Sequence, residues 1–532
     1  LSNKQLAAVS KDQLNQMSAE QIGSITASQV VAMTVGGTTG QLNHLSTELI
    51  ASLSTDATHA LTATQFAGLT DTQVGALTTE QMGVLTNKQI AALTTAQADK
   101  LSGEQLAALT EDGQVEALTG TILASLDGKS QLAAMSASQI DRLSAKQIAS
   151  LSGTQLSKLS SDQINGWDDK KIQAIALSAI ADLSTDFVTA LKATHVKALT
   201  DKQIAALSST QVAAMSTEQL AEVDNKDLAG LSNDKINALS AEQFNAFTAA
   251  QVKTLTVDQV GHLDDEIIQG LGSEEIEAFT AAQLKALTIT QMGKFSAEQI
   301  AMFSTASDNN QIASLSAAQI GALSGDQVAG FTDTQIGKFS AAQVAGLTAT
   351  QAPSLTTAQV GAMTDKQIAA ITNAAFAKLS TDVIAGLSTT IKDGEKLSQV
   401  QALTAGQIAE LDEGQIQALT AGEDGQIAAF APKQIAAFSS TQLNKMSTEQ
   451  IGSITAAQIA LMTFTGETGQ INNLSADLVA GLSEEQVTAL SDKQVASLST
   501  TQLAAMGTDQ LAAINNKDLA GLSNDKINAL SA

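Results

Sequence analysis

The sequence predicts an all-α fold, an elongated solenoid of very short helices, on three observations. Large apolar residues recur every eight residues, as at Leu77, Leu85, Leu93, Leu101 and Leu109. Each unit reads Leu, Ser or Thr, two variable residues, Gln, an aliphatic residue, then two small or polar ones; these are positions 1 to 8. The Ser/Thr at position 2 and the Gln at position 5 make the S/T-x-x-Q capping box, which starts a helix. Finally, one unit buries too little to fold alone. Two aliphatic side chains contribute roughly 3–6 kcal/mol, against an ordering cost of about 12 kcal/mol for eight residues. Neighbours must therefore share apolar faces, as in a solenoid.

Other conformations fail on arithmetic. In a continuous helix a repeat of eight drifts the apolar stripe by about 80° per unit, so no single face is buried. In a strand, positions 1 and 6 have opposite parity and point to opposite faces. A helix of under two turns that restarts in every unit meets neither objection.

Position by position, the residue types agree. Position 2 is the N-cap, so position 3 is the first helical residue, where a missing N–H costs nothing; Pro432 falls there. Position 4 carries Asp12, Glu20, Glu80 and Lys88 and reads as a solvated face. The Gln at position 5 is assigned to capping or to hydrogen bonding with a neighbouring unit, in preference to an exposed amide ladder that binds polysaccharide or another fibre. Ala and Gly at positions 7 and 8 permit close approach of neighbouring backbones.

From Leu1 to Leu530 the phase makes about 64 units, interrupted by short insertions. The chain is read as one continuous octapeptide-repeat α-solenoid over residues 1–532, part of a longer array. Two helices per layer would give about 32 layers spanning on the order of 290 Å. The unit at 391–397 departs from consensus without losing phase, with Glu395 at position 1 and Lys396 at the cap. Pro353 lies at position 7 and should distort its helix. Two longer blocks recur: LNQMSAEQIGSIT from Leu14 returns as LNKMSTEQIGSIT from Leu443, and NKDLAGLSNDKINALSA from Asn225 returns at Asn516. Such blocks point to internal duplication and to length as the selected property.

Composition narrows function. The formal net charge is −26, yet only 15% of residues are charged, so the surface is mainly Ser, Thr, Asn and Gln. That disfavours phosphate backbones and anionic membranes. There is no Cys, which excludes disulfides and thiolate metal sites. No run of 18 apolar residues occurs.

No G-x-S-x-G, P-loop or HExxH motif is present. Asp112-Gly113, Asp127-Gly128, Asp393-Gly394 and Glu423-Asp424-Gly425 lack the spacing of calcium loops and read as turns. The insertions at Gly36 to Gly40, Ser307 to Asn310 and Thr465 to Gly469 are the best places for interaction, since loops project from a rigid scaffold. His44, His59, His195 and His262 are scattered and are expected at the surface, and Trp167 at position 1 is expected to pack in the core. No catalytic, cofactor-binding or metal-binding residue is assigned, and no enzyme activity is expected.

The segment LTDKQIAALS from Leu199 resembles the opening of the TAL-effector repeat, LTxxQVxAI, in which a helix is capped. The likeness covers about nine residues per unit, without that family's long repeat, base-reading loop or basic charge, so DNA binding does not carry over. More broadly, the Cys-free, acidic, Ser/Thr-rich and repetitive character resembles large secreted bacterial surface proteins and adhesins. That resemblance implies an extracellular structural protein, a fibre subunit or the stalk of a surface adhesin, secreted or at the cell surface. Its expected partners are other copies of the chain or a cell-surface or matrix component, with no nucleic acid and no membrane insertion. The alternative is a solenoid binding scaffold that recognises a protein or glycan on one face.

Overall fold

Short helices restart at every capping box. In the computed structural model, which describes residues 1–126 and 131–530, there are 59 α-helices of four to six residues and four 3-10 helices, with no strand among the described residues. Helix Thr79–Gly83 shows the rule. The Oγ1 of its N-cap Thr78 accepts the Gln81 N–H at 3.2 Å, and the Gln81 Oε1 accepts the Thr78 N–H at 2.9 Å. The chain leaves the helix in extended conformation at the following position 1 and is capped again at once.

The chain divides into two units, Leu1–Gln259 and Val260–Ala532, and the same construction runs through each. Each is an all-α solenoid of short helices. Position 1 and position 6 side chains fill the interior, as Leu77 and Met82 do in the first and Leu347 and Val360 in the second. Successive position 1 residues touch one another: Phe295 meets Phe303, and Phe331 meets Phe339, edge to face with centroids 5.4 and 5.1 Å apart. Helices stack on their third neighbours along the chain; Asp71–Gly75 packs against Thr47–Ala51 on one side and Thr95–Lys100 on the other.

A turn of either solenoid is therefore larger than the two-helix layer expected from the sequence. It closes after between three and four units, because two aliphatic residues per octet can face inward only if neighbouring units bend away steadily. Close approach between turns falls on small residues, as expected. A Cβ on Gly330 or Gly346, both at position 8, would lie 2.6 or 2.5 Å from the carbonyl oxygen of Ala297 or Ala317.

Both prolines sit as their chemistry requires. Pro432 is the first residue of helix Pro432–Ile435. At position 7, Pro353 cannot donate to the carbonyl four residues back, and its unit tightens into the 3-10 turn Ala352–Ser354.

Candidate functional site

The most regular polar residue of the repeat is consumed by the interior. At position 5, Gln81 is 2% exposed, and while its Oε1 caps its own helix, its Nε2 donates to the Ile50 and Leu53 carbonyls at 2.9 and 2.8 Å, 31 and 28 residues earlier. In the second unit Gln351 reaches Ile320 and Leu323 at 2.8 and 2.6 Å with the same separations. Those carbonyls end the helix of one earlier unit and open the next. One amide thus satisfies an N-cap donor and two helix-end acceptors that would otherwise be buried unpaired. Both neighbour bonding and capping are borne out, and the reading of an exposed, ligand-binding amide ladder fails where the glutamine is buried.

The clamp also accounts for the insertions. Where a four-residue loop intervenes, the N-cap amide still finds the Gln Oε1, now seven residues on: Thr34 to Gln41 at 3.1 Å, Ser304 to Gln311 at 2.7 Å and Thr463 to Gln470 at 2.9 Å. All three loops leave the solenoid at one point of the repeat, the N-cap corner. They project as expected, with Gly36, Gly37 and Gly466 at positive φ.

One insertion is invisible to an octet count. Ser388 N–H bonds Gln399 Oε1 at 3.0 Å, 11 residues on, and Gln399 Nε2 bonds Val360 and Met363, 39 and 36 residues back. Each separation exceeds the regular value by eight. Residues 389–396 are therefore a loop of one octet's length, not a helical unit, and Glu395 and Lys396 do not occupy positions 1 and 2. The loop folds back on the previous turn. Lys392 Nζ donates to the Gly361 and Met363 carbonyls, the latter at 2.9 Å, and Glu395 Oε2 accepts the Asp365 N–H at 3.1 Å. Ile391 and Leu397 remain exposed.

The two longer blocks turn out to be exchanged clamps. Leu49 and Leu478 stand at position 5, where no amide is available, and the donor they leave is met from the preceding turn. Asn15 Oδ1 accepts the Ser46 N–H at 2.9 Å while its Nδ2 donates to the His44 carbonyl at 2.7 Å. Asn444 does the same for Ser475 and Asn473, each at 2.7 Å. In the other pair, Lys235 and Lys526 replace Gln and each donates to an alanine carbonyl, Ala205 and Ala496, 30 residues back. Asp227 and Asp518, one unit before these half-buried lysines, are buried. The signal that could have found these residues was the duplication itself, which keeps Asn or Asp and Lys together with the turns they serve.

The histidines divide. His59 and His262 are exposed and His44 is half-buried, its ring Nδ1 2.8 Å from the Gly40 carbonyl oxygen. His195 is not at the surface as expected; it is 5% exposed and fills a position 5 slot. Its Nδ1 accepts the Lys192 N–H at 3.3 Å, as a Gln Oε1 would. Burial chiefly, then the Lys192 charge, holds its pKa below the usual imidazole value, while the Trp167 carbonyl opposes that shift. Trp167 itself is buried in the core as expected.

The acidic turns behave as turns. Gly113 and Gly394 adopt φ of 85° and 81°, and Asp112 Oδ1 pairs with Arg142 at 2.8 Å. Gly425 caps helix Gln426–Ala429, and Asp127-Gly128 lies outside the described residues. Among the described residues no group of three His, Asp or Glu side chains is placed to hold a metal ion. Nor, among the described residues, is any helix long and apolar enough to cross a membrane.

Three stretches, residues 180–217, 220–257 and 427–463, match the model of the ALTTAQ repeat. The chain is a repeat protein. Ala92–Gln97 spell the same six letters, which run from position 8 through the cap to the clamp glutamine. No curated protein matches the chain. A solved structure described as "Structure of APUM23-GGAAUUGACGG" is similar over 86% of this chain and 94% of that one, at 11% identity and a TM-score of 0.17; at that level it carries no argument.

Proposed function

We propose that this repeat protein is a structural element whose product is length and stiffness, a stalk or fibre segment of the extracellular type. The observation that carries the reading is the use of its polar repeat. The side chains that recur most regularly, the position 2 hydroxyls and the position 5 amides, are spent on starting each helix and on holding one turn to the next, and the titratable groups are dispersed. Similar interfaces repeated along the chain suit a spacer, and quasi-one-dimensional arrays extend by adding units at a similar gain per unit. No enzymatic role is proposed, and the partners proposed are further copies of the chain or a component of the cell surface.

Negative-stain imaging of the purified chain together with a variant lacking several consecutive units tests this. Rods that shorten in proportion to the deleted units support the reading, and compact particles of unchanged dimension overturn it. The extracellular assignment is tested separately, by antibody labelling of intact source cells; label seen only after permeabilisation overturns that part alone. A binding scaffold is the second reading, favoured by the loop at 389–396 with its exposed Ile391 and the exposed Leu397 that follows it; deleting that loop would then abolish capture of the partner without changing the rods.

A further inference from the structure

Position 5 loses its glutamine in several places, but elsewhere among the described residues never in more than two consecutive units. Between Gln163 and Gln203 it is lost in four: Lys171, Ala179, Phe187 and His195. Four units exceed one turn of the solenoid, so a complete seam between residues 139–167 and 168–196 lacks the amide ladder. The clamps on either side are intact. Gln163 Nε2 reaches the Met135 carbonyl at 2.7 Å, and Gln203 reaches Ile172 and Ile175 at 3.0 and 2.9 Å.

Within the seam, the Leu143, Leu151 and Leu159 carbonyls, which the missing amides would take, have no hydrogen-bond partner among the described residues. The turns instead meet through small groups. A Cβ on Gly153 would lie 2.4 Å from the Ala179 carbonyl oxygen, and Ser157 Oγ accepts the Ser184 N–H at 2.7 Å. Only the two ends are fastened by longer side chains. Lys171 Nζ donates to the Asp141 carbonyl and pairs with its Oδ1 at 2.6 Å; at the other end Lys192 Nζ donates to the Asn165 carbonyl at 2.8 Å, and His195, whose Nδ1 accepts the Lys192 N–H on its own segment, faces the Trp167 carbonyl across the seam. The only tryptophan of the chain closes that end, with its Nε1–H buried and unpaired.

We propose that this seam is a built-in opening point of the solenoid, latched at one end by Lys171 and at the other by His195 beside Lys192, and that mild acid loosens the His195 latch. An imidazole can accept the Lys192 N–H only while its Nδ1 carries no proton. Protonation turns that nitrogen into a second donor facing a donor, beside the Lys192 ammonium. Among the groups around it Asp169 favours the protonated ring, but burial and the Lys192 ammonium outweigh it. Lys192 and Lys197 lie on its own segment, and Lys197 is paired with Glu222 at 2.8 Å. The packed helix Asp169–Ala174, with its N-cap Asp168, brings Asp168, Asp169, Lys170 and Lys171, of which Lys171 is engaged with Asp141. Helix Thr217–Ala221 and its C-cap bring Glu218 and Glu222. The sign follows: the folded pKa is depressed, so the unfolded state binds more protons, and this latch contributes fully above the ordinary imidazole value near 6.5 and is lost as pH falls below it.

Because the chain has one Trp and no Tyr, its fluorescence reports this seam directly. Acrylamide quenching of the full chain is measured from roughly pH 7.5 to roughly pH 5, where ordinary carboxylates are still ionised. The expected result is a quenching constant that rises with acid, together with amide exchange at 145–164 and 169–196 about tenfold faster than in flanking turns after correction for intrinsic rates. His195→Gln restores the regular clamp and should remove the acid response; Ala179→Gln should slow exchange at Leu151 and its neighbours. Uniform protection across all turns, or an unchanged acid response in H195Q, overturns the proposal.

Discussion

At position 5 the difference between an amide and its near-isosteres decides whether a turn is held. Gln219 accepts the Ser216 N–H at 2.8 Å and donates to the Val188 and Leu191 carbonyls at 2.8 and 2.6 Å. Methionine keeps the shape and loses all three bonds. Leaving buried groups unpaired costs about 1–3 kcal/mol each, so with three groups Q219M should lower local stability by at least about 3 kcal/mol, read by amide exchange across residues 184–222. Glu275 shows the opposite case, a carboxyl in the amide slot, 4% exposed, with its pKa pushed up chiefly by burial. A raised folded pKa means the native state holds the proton longer. The group is therefore favourable below the ordinary carboxylate value and increasingly unfavourable as pH rises through the folded one. Glu275→Gln should accordingly stabilise the protein at pH 7 and give no gain near pH 4; equal effects at both values in thermal melts would contradict this.

At the scale of an element, an octet tolerates extra chain only where the clamp can close over it. Residues 389–396 separate Ser388 from Gln399, and deleting them would return the Gln399 bonds to the regular separations. That deletion should leave the helical circular dichroism and the melting temperature nearly unchanged, whereas Gln399→Met, which removes the clamp and keeps the loop, should lower it. A large loss of helix on deletion would show that the octet is a true unit. This case also separates what local chemistry dictates from what it does not. The capping box, the two proline positions and the inward faces followed from local chemistry. The loop did not, because an insertion of one full period leaves the phase untouched, and the partner of each Gln Nε2 lies about 30 residues away, where no local pattern points. The burial of His195 was hidden for the same reason: its surroundings are set by the preceding turn.

At the scale of the whole molecule, stability is a sum of similar turn-to-turn interfaces, with charge acting as a uniform opposing field. Such arrays unfold in parts when some interfaces are weaker. Calorimetry should give a calorimetric enthalpy larger than the van't Hoff value, and identical enthalpies would indicate one cooperative block. The net charge of −26 repels itself, and the cross-turn pairs that salt would weaken are mostly exposed among the described residues, as Lys445 with Glu413 is. Raising ionic strength from low salt should therefore raise the melting temperature.

The solenoid rests on a helix restarted in every regular octet and tied by one glutamine to the turn before it. In an ordinary helix the N-cap amide is open to water; here Thr78, Ser208 and Ser216 each donate theirs to a buried Gln Oε1. Single-residue hydrogen exchange on the native protein measures this directly. The position 2 amides should exchange as slowly as those inside the helices and should become fast, unit by unit, when the corresponding glutamine is replaced by alanine. Fast exchange at these amides in the unaltered protein would contradict the clamp and the solenoid built on it.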